Sequence, residues 1–382
     1  MASYQYSAST PGREPRESGA LAKVLAIVFG FGVAALAVVL VVLLVDVKAD
    51  QKTAPAPTQD TTLPGDTQHV SQTSTQFISY AGEVPANADE LAAAHKPYPA
   101  EMPAIPAGDV VPVQMTLKDI VIEIAPGVKY STWSFDGTGA PGQVIHVRQG
   151  QTVKMTLTNG GAIPHSIDFH AARIAPDVAF RDVAPGESFT FSFKAGDPGI
   201  YMYHCGTKPV LAHIANGMYG AIVVEPAKPL PKADKEYVLV SSEWYMNGNG
   251  IDKPASLDMK KAHAMLPDWV TWNGYAGQYA KHPLTADPGD TVRFWVVAAG
   301  PSLDTDFHVV GTIFDRAWVN QDMTQFQRGV QTVSVPAGGG GVFDVKIPDP
   351  GLYPVVSHSF ASVDLGQVAL LKVGDPDGTS SH

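Results

Sequence analysis

Apolar and polar residues alternate along most of the chain from Met115 onward. Clear examples are residues 144–148, 152–157 and 189–193. In each run the apolar character recurs at every second position, which is the period of a half-buried β-strand. Glycine and proline turns separate the runs at short intervals, as they do in sandwiches and barrels. The pattern therefore predicts an all-β protein.

A different pattern lies near the N-terminus. Residues 21–45 form an almost unbroken apolar stretch with one charge, Lys23, near its start, and this length predicts a transmembrane helix. Arg13 and Arg16 precede it, which favours a cytoplasmic tail over residues 1–20. A cleaved signal peptide is the alternative, although its apolar region would normally be shorter. With the anchor, the bulk of the protein is expected outside the cytoplasm, at the cell surface or in the periplasm.

The segment after the apolar stretch has a low content of bulky apolar residues. Residues 46–76 are rich in Thr, Gln, Pro, Ala and Asp. Such a composition cannot bury enough surface to fold alone and is typical of a tether. We therefore expect an extracytoplasmic linker over residues 46–105.

The rest of the chain contains an internal repeat. Gln-Gly-Gln-Thr-Val-Lys at 149–154 parallels Pro-Gly-Asp-Thr-Val-Arg at 288–293, and each copy continues to an Asp-Phe-His triplet, at 168–170 and at 306–308. Tandem duplication of one supersecondary unit produces this kind of self-similarity. The repeat predicts two tandem Greek-key β-sandwiches, over residues 106–227 and 233–374.

Composition and charge narrow the classes of function. The chain has 36 glycines, 31 prolines and only 16% charged residues, which suits a turn-rich β protein. The formal net charge of −11 argues against nucleic-acid binding.

The candidate chemistry centres on Cys205, the one cysteine of the chain. A single thiol cannot form an intramolecular disulfide, so it is either inert, as a small buried apolar residue, or chemically active. His213 and Met218 follow it, and His165 lies upstream. Two imidazoles, a thiolate and a thioether are the ligand set of a blue copper centre. The second copy lacks a cysteine and cannot form such a centre.

Together these motifs resemble those of the copper-containing nitrite reductases, which are two-domain, cupredoxin-like members of the multicopper oxidase superfamily. The resemblance runs from about residue 113 to 374. It implies a type 1 copper and a type 2 copper in each chain. The implied type 1 ligands are His165, Cys205, His213 and Met218, and the implied type 2 ligands are His170, His204 and His358.

The resemblance also implies how the protein assembles and reacts. His358 of a neighbouring subunit would complete the type 2 site, so a homotrimer is expected. The implied reaction is the reduction of nitrite to nitric oxide with an electron from a small redox protein, a cupredoxin or a c-type cytochrome. Because adjacent strand residues face opposite ways, His204 and Cys205 would serve different coppers through one peptide link. The electron would enter at type 1 copper and pass along that link.

Proton delivery is the part of the chemistry in which the sequence departs from the family. Asp168 resembles the family's catalytic aspartate and would donate a proton to nitrite; a purely orienting role beside a ligand imidazole is the alternative. The resemblance places a catalytic histidine at the position that Ile313 occupies. His308 is the nearest substitute, unless it is a structural core histidine.

Two other functions remain open at this point. A copper electron-transfer protein with little nitrite turnover would follow if Ile313 breaks the proton relay. A laccase-like oxidase would need about eight histidines in His-X-His pairs for a three-copper cluster. The sequence contains no such pairs, which disfavours this class.

Overall fold

The computed structural model describes residues 82–319 and 323–375. All of them belong to one compact unit, Ser71–His382. The predicted cytoplasmic tail, the predicted transmembrane helix and residues 46–81 of the predicted linker lie outside the described residues. Within the described ranges, no helix has the length and apolar content needed to cross a membrane.

The first eight strands form a β-sandwich. They are β1 (Val110–Ala125), β2 (Val128–Ser134), β3 (Ile145–Arg148), β4 (Thr152–Asn159), β5 (Asp168–Phe169), β6 (Ser188–Lys194), β7 (Gly199–His204) and β8 (Tyr219–Glu225). Their two four-stranded sheets have the orders β2-β1-β4-β6 and β3-β8-β7-β5. In β4, Met155 and Leu157 are buried while Lys154 is exposed. These inward side chains share one core with Ile222 of the opposite sheet.

The remaining strands form a second sandwich and one small pair. They are β9 (Lys235–Trp244), β10 (Met246–Asn247), β11 (Ser256–Leu257), β12 (Trp269–Trp272), β13 (Leu284–Ala286), β14 (Thr291–Gly300), β15 (Thr305–Val309), β16 (Arg316–Val319), β17 (Val333–Val335), β18 (Gly340–Lys346), β19 (Gly351–Ser357) and β20 (Val368–Val373). The two five-stranded sheets have the orders β12-β9-β14-β18-β16 and β13-β20-β19-β15-β17, and β10 pairs only with β11.

The strand order of the second sandwich reproduces that of the first. In one sheet β9, β14 and β18 take the places of β1, β4 and β6, and in the other β13, β20, β19 and β15 take those of β3, β8, β7 and β5. The parallel pairing of β1 with β4 recurs between β9 and β14. The repeated sequences thus occupy equivalent strands. The mostly-β class predicted from the sequence is confirmed.

The two sandwiches pack against each other through strands that are buried on both faces. In β8, Ile222 faces the core of the first sandwich, whereas Val223 lies in a cluster that also contains Val238 and Trp295 of the second. This double burial explains why the strand that closes the first copy is apolar without alternation.

The described residues contain six short α-helices. They are α1 (Ala88–Ala94), α2 (Pro176–Ala179), α3 (Val210–Ala215), α4 (Met259–Ala264), α5 (Gln278–Lys281) and α6 (Phe360–Asp364). The described part of the predicted linker lies against the sandwiches: Ala100 is buried, and the Tyr98 hydroxyl donates to the carbonyl oxygen of Gly142 at 3.0 Å.

Candidate metal centres

Three of the predicted ligands meet inside the first sandwich. The Sγ of Cys205 lies 3.2 Å from Nδ1 of His213 and 4.0 Å from Nδ1 of His165, and the two Nδ1 atoms are 3.1 Å apart. All three side chains are buried. In the part of the chain that the structure describes, no other group of three His, Cys, Asp or Glu side chains has its ligand atoms within 4.8 Å of one another. We call these three residues the thiolate cluster.

Each member of the thiolate cluster is held by a different element. His165 exchanges backbone hydrogen bonds with Val183, at 3.2 and 2.8 Å. Cys205 directly follows β7, and His213 lies in the last turn of α3. The backbone of an isolated β-bridge, the end of β7 and helix α3 therefore fixes the three side chains relative to one another.

Met218, the predicted axial ligand, is tied to two members of the cluster through its backbone. Its N–H donates to the carbonyl oxygen of His213 at 3.2 Å, and its carbonyl oxygen accepts from the N–H of Cys205 at 3.1 Å. The preceding Gly217 has φ +99, and a Cβ there would collide with the Thr132 hydroxyl. Only glycine suits this turn, and the turn returns the chain to the buried position of Met218 beside Cys205.

Ser166 donates a backbone hydrogen bond to the sulfur of Cys205. Its N–H lies 3.3 Å from the Sγ of Cys205. Its hydroxyl oxygen accepts from the N–H of Gly206 at 3.0 Å and is hydrogen-bonded to the Thr207 hydroxyl at 3.2 Å. This N–H fixes the position of the sulfur, as groups around a metal ligand commonly do.

The electrostatics of the thiolate cluster suit a metal. Burial, helped by the nearby His213, lowers the pKa of His165 to about 4, and burial also lowers the pKa of His213. Both imidazoles are therefore neutral at neutral pH and have a lone pair to donate. Two imidazoles, a thiolate and a thioether are the donor set of a type 1 copper, so the residues fit that metal.

A second group, His170 and His204, lies on the other side of β7; we call it the histidine pair. The two Nε2 atoms are 3.0 Å apart. Nδ1 of His204 is 2.9 Å from the carbonyl oxygen of Cys205, and Nδ1 of His170 is 3.0 Å from that of Gly338. Because a carbonyl only accepts, each Nδ1 carries the hydrogen and each Nε2 presents its lone pair. Two lone pairs that converge on one point fit a cation.

Strand alternation separates the thiolate cluster from the histidine pair. In β7, Tyr203 and the following Cys205 face the first core, whereas Met202 faces the second sandwich. His204 shares the parity of Met202 and so points away from Cys205, as the alternation predicts. His165 and His170 also reach different groups. However, β5 contains only two residues, so a turn rather than one continuous strand separates these two histidines.

Asp168 lies on the same face as the histidine pair. It stands opposite His204 in the register of β5 and β7. Its Oδ2 is 4.0 Å from Nε2 of His204, and its side chain is 32% exposed. The carboxylate is therefore close to the converging lone pairs and also open to solvent.

The second sandwich brings His308 and His358 together. Their ring centroids are 5.0 Å apart, and Nδ1 of His308 lies 2.6 Å from the carbonyl oxygen of Gln331. This contact follows from the register, which pairs His308 with Val356 of β19. Ile313, by contrast, is 61% exposed. Among the described residues of one chain, His358 does not join His170 and His204 in a three-ligand group.

Comparisons with known proteins identify the family. The family profile described as multicopper oxidase matches residues 116–229. The chain is 40% identical over 301 residues to the copper-containing nitrite reductase of Neisseria gonorrhoeae, and the match covers 77% of this chain and 72% of that protein. The chain belongs to the copper-containing nitrite reductase family. Membership implies copper as the cofactor, in agreement with the donor set of the thiolate cluster.

Solved structures of nitrite reductases share this fold. The copper nitrite reductase of Nitrosomonas europaea is 34% identical with a TM-score of 0.63, covering 70% of this chain and 95% of that one. The Cu-containing nitrite reductase of Thermus scotoductus is 28% identical with a TM-score of 0.65, covering 70% and 62% of the two chains.

Some residues around the thiolate cluster and the histidine pair were not predicted from the sequence. Ser166 lies directly beside His165, so its N–H could have been considered from sequence. The indole ring of Trp133 in β2 lies against His165 and His213, and Gly338 contacts His170. Both residues are far along the chain from the ligands that they contact. No local pattern marks either of them.

Proposed function

We propose that this protein catalyses the copper-dependent reduction of nitrite to nitric oxide. One nitrite ion, one electron and two protons give one nitric oxide and one water molecule. The observation that carries the proposal is the peptide link between His204 and Cys205, which joins the histidine pair directly to the thiolate cluster. An electron-storing centre and a substrate-binding centre in covalent contact are what this reaction needs.

The thiolate cluster would hold the type 1 copper with His165, Cys205, His213 and Met218 as ligands. When bound, copper supplies a reversible one-electron carrier here and an open position for a small ligand at the histidine pair. The protein's part is to hold the ligands rigidly on β7, α3 and the turn at Gly217. An electron from a cupredoxin or a c-type cytochrome would enter at the thiolate cluster and continue through Cys205 and His204.

The histidine pair would hold the type 2 copper together with the partner's His358. Two imidazoles leave the site short of the third ligand that the family resemblance implies. Phe360, whose ring contacts that of His358 at 5.0 Å, is 54% exposed. A second copy of the chain would bury such an apolar side chain, which supports a homotrimer with shared sites.

Asp168 and His308 would supply the protons. Asp168 lies beside His204, and its partial exposure gives it access to protons from solvent. His308 has its Nδ1 engaged by Gln331 and its Nε2 available, so it would serve the same site from the partner's side, next to His358. The ring contact of His308 with His358 favours the enzyme over an electron carrier with little turnover.

The N-terminal region would tether this reaction to a membrane. The apolar residues 21–45 and the basic residues before them support an anchor with the two sandwiches outside the cytoplasm. The acidic net charge of −11 disfavours a nucleic-acid partner.

Nitric oxide release tests the proposal. The copper-loaded protein is given nitrite and an artificial electron donor, nitric oxide is measured with an electrode, and copper is counted per chain. We expect two coppers per chain and continuous nitric oxide release. Two coppers per chain that are reduced by the donor but make no nitric oxide would instead establish the electron-transfer protein.

A further inference from the structure

Trp133 contacts both histidines of the thiolate cluster. The centroid of its ring lies 5.3 Å from that of His165 and 4.8 Å from that of His213, with interplanar angles of 63° and 50°. Among the described aromatic residues, no other ring besides the two histidines themselves contacts either imidazole. Trp133 therefore spans two ligands that come from separate elements.

The backbone of Trp133 is anchored to the element that carries His213. Its N–H donates to the carbonyl oxygen of Asn216 at 2.9 Å, and Asn216 ends α3. On its other side, Trp133 pairs with Asp119 of β1. The backbone of Trp133 is thus fixed to the end of α3 on one side and to β1 on the other.

The thiolate cluster and the histidine pair differ in what fixes the orientation of their imidazole rings. A metal-binding histidine usually donates its second ring N–H to a carbonyl or carboxylate, which fixes the rotation of the ring. His170 and His204 follow this rule through Gly338 and Cys205. In the described part of the protein, Nε2 of His165 and Nε2 of His213 have no hydrogen-bond partner. Apart from the Nδ1 contacts inside the thiolate cluster, packing is what limits the rotation of these two rings.

We propose that Trp133 is a positioning residue for the type 1 copper, and that its indole ring takes the orienting role that hydrogen bonds have at the histidine pair. The inference rests on the proposed function, because it assumes copper at the thiolate cluster. Without the indole, both imidazoles would rotate more freely, and each would have to be ordered when the metal binds. The ordering cost would weaken binding and broaden the geometry at Cys205.

The test compares Trp133→Leu and Trp133→Phe with a control from the same core. Phe135→Leu serves as the control, because Phe135 is fully buried in that core and contacts Tyr203 but neither imidazole. For each protein we would measure the thiolate-to-copper absorption band, the reduction potential of the type 1 centre and its copper affinity by chelator competition.

We expect Trp133→Leu to bind copper at the thiolate cluster roughly 10- to 100-fold more weakly, the loss typical when a group that orients a metal ligand is removed. The thiolate-to-copper band and the reduction potential of Trp133→Leu should shift as well. Trp133→Phe should lie between this variant and the native protein, and it decides the question alone if Trp133→Leu does not fold. Phe135→Leu should keep the native band, potential and affinity.

Three outcomes would overturn the inference. If every folded Trp133 variant matches the native protein in band, potential and affinity, the indole does not position the ligands. If Phe135→Leu loses as much as Trp133→Leu, general loosening of the core is the cause. If the native copper-loaded protein lacks the intense band, the type 1 assignment itself fails, and this inference falls with it.

Discussion

His170 of the first sandwich donates its Nδ1–H to the carbonyl oxygen of Gly338 in the second sandwich, at 3.0 Å. The loop around Gly338 is itself fixed, because the N–H of Ala337 donates to the carboxylate of Asp304 at 2.9 Å and the N–H of Gly338 donates to Ala298 at 2.7 Å. The second sandwich therefore orients an imidazole of the first, although it has no cysteine of its own.

This contact predicts that Gly338→Ala weakens the type 2 copper selectively. Gly338 has φ +77, and a Cβ there would lie 3.4 Å from Cε1 of His170. The substitution would strain the turn and displace both the carbonyl and the ring. We expect a roughly 10- to 100-fold loss of copper affinity at the histidine pair and an unchanged thiolate-to-copper band, measured by copper titration.

Gly289→Ala is the matched control for that experiment. Gly289 also has a positive φ, +88, but nothing lies within 4 Å of its added Cβ. It should carry the same backbone penalty and keep both coppers. Equal copper loss in the two variants would mean that backbone strain alone, and not the contact with His170, is responsible.

The relation between His204 and Cys205 could be predicted from sequence because it is local. Adjacent residues of an extended chain face opposite ways, so His204 at the end of β7 and the next residue, Cys205, are expected to serve two different sites. The repeat likewise predicted equivalent strands, because two similar stretches of chain fold by the same pattern. These inferences need only neighbouring residues or direct sequence comparison.

The contacts of Gly338 and His308 could not be predicted in this way. The hydrogen bond from His170 to the carbonyl oxygen of Gly338 depends on how two separate sandwiches dock, which no strand pattern encodes. The ring contact between His308 and His358 depends on the register of β15 against β19. The family resemblance places the catalytic histidine at position 313, which is Ile313 here. The register of β15 against β19 instead brings His308 beside His358, the predicted ligand.

Removing the thiol should abolish the type 1 signal alone. Cys205→Ala loses the ligand whose sulfur gives copper its intense charge-transfer band. We expect the colour to disappear while electron paramagnetic resonance still shows the weaker type 2 signal, because His170 and His204 are untouched. A coloured Cys205→Ala protein would refute the assignment of the thiolate cluster.

Loss of His358 should remove the other copper. His358→Ala should reduce the copper content by about one per chain and retain the intense band, since the thiolate cluster lies wholly within the first sandwich. His263→Ala, at an exposed histidine of α4, should retain both coppers. Sedimentation of the native protein as a trimer is the companion result; a monomer with two full copper sites would contradict shared sites.

Glu243 should make stability depend on pH. Burial raises the pKa of this carboxyl even though the Tyr245 hydroxyl and the backbone N–H groups of Ser302 and Leu303 donate to it. The folded state therefore binds the proton more tightly than the unfolded state. The stability that this group contributes is fully present below the unfolded value of about 4.5 and is lost as pH rises through the folded value.

Glu243→Gln tests that dependence, because the amide imitates the protonated carboxyl without a charge: its oxygen still accepts from Ser302 and Leu303, and its NH2 donates to the Tyr245 hydroxyl oxygen. The melting temperature of the variant relative to the native protein should increase as pH rises from about 4.5 to 7, with each 1 kcal/mol appearing as about 2–4 °C. Glu187→Gln, at an exposed glutamate, should show a constant difference. A difference for Glu243→Gln that stays flat over this range would contradict the assignment.

Proton supply is tested at Asp168, His308 and Ile313. General acid–base groups contribute roughly 10²- to 10⁴-fold to rates, so Asp168→Asn should reduce nitric oxide formation by about that factor. It should keep both coppers, since the amide has the same shape and the carboxylate is 4.0 Å from His204. Asp177→Asn, at an exposed aspartate of α2, should leave the rate unchanged.

The same assay separates the two positions considered for the catalytic histidine. His308→Gln should also slow nitrite reduction, because glutamine can still donate a hydrogen bond to the carbonyl of Gln331 but cannot carry a proton at neutral pH. Ile313→His should leave the rate near that of the native protein, because His308 already lies beside His358. The opposite result would be a large gain from Ile313→His together with a native rate for His308→Gln. Position 313 would then be the one that carries the proton relay, and the native protein would have lost part of its proton path.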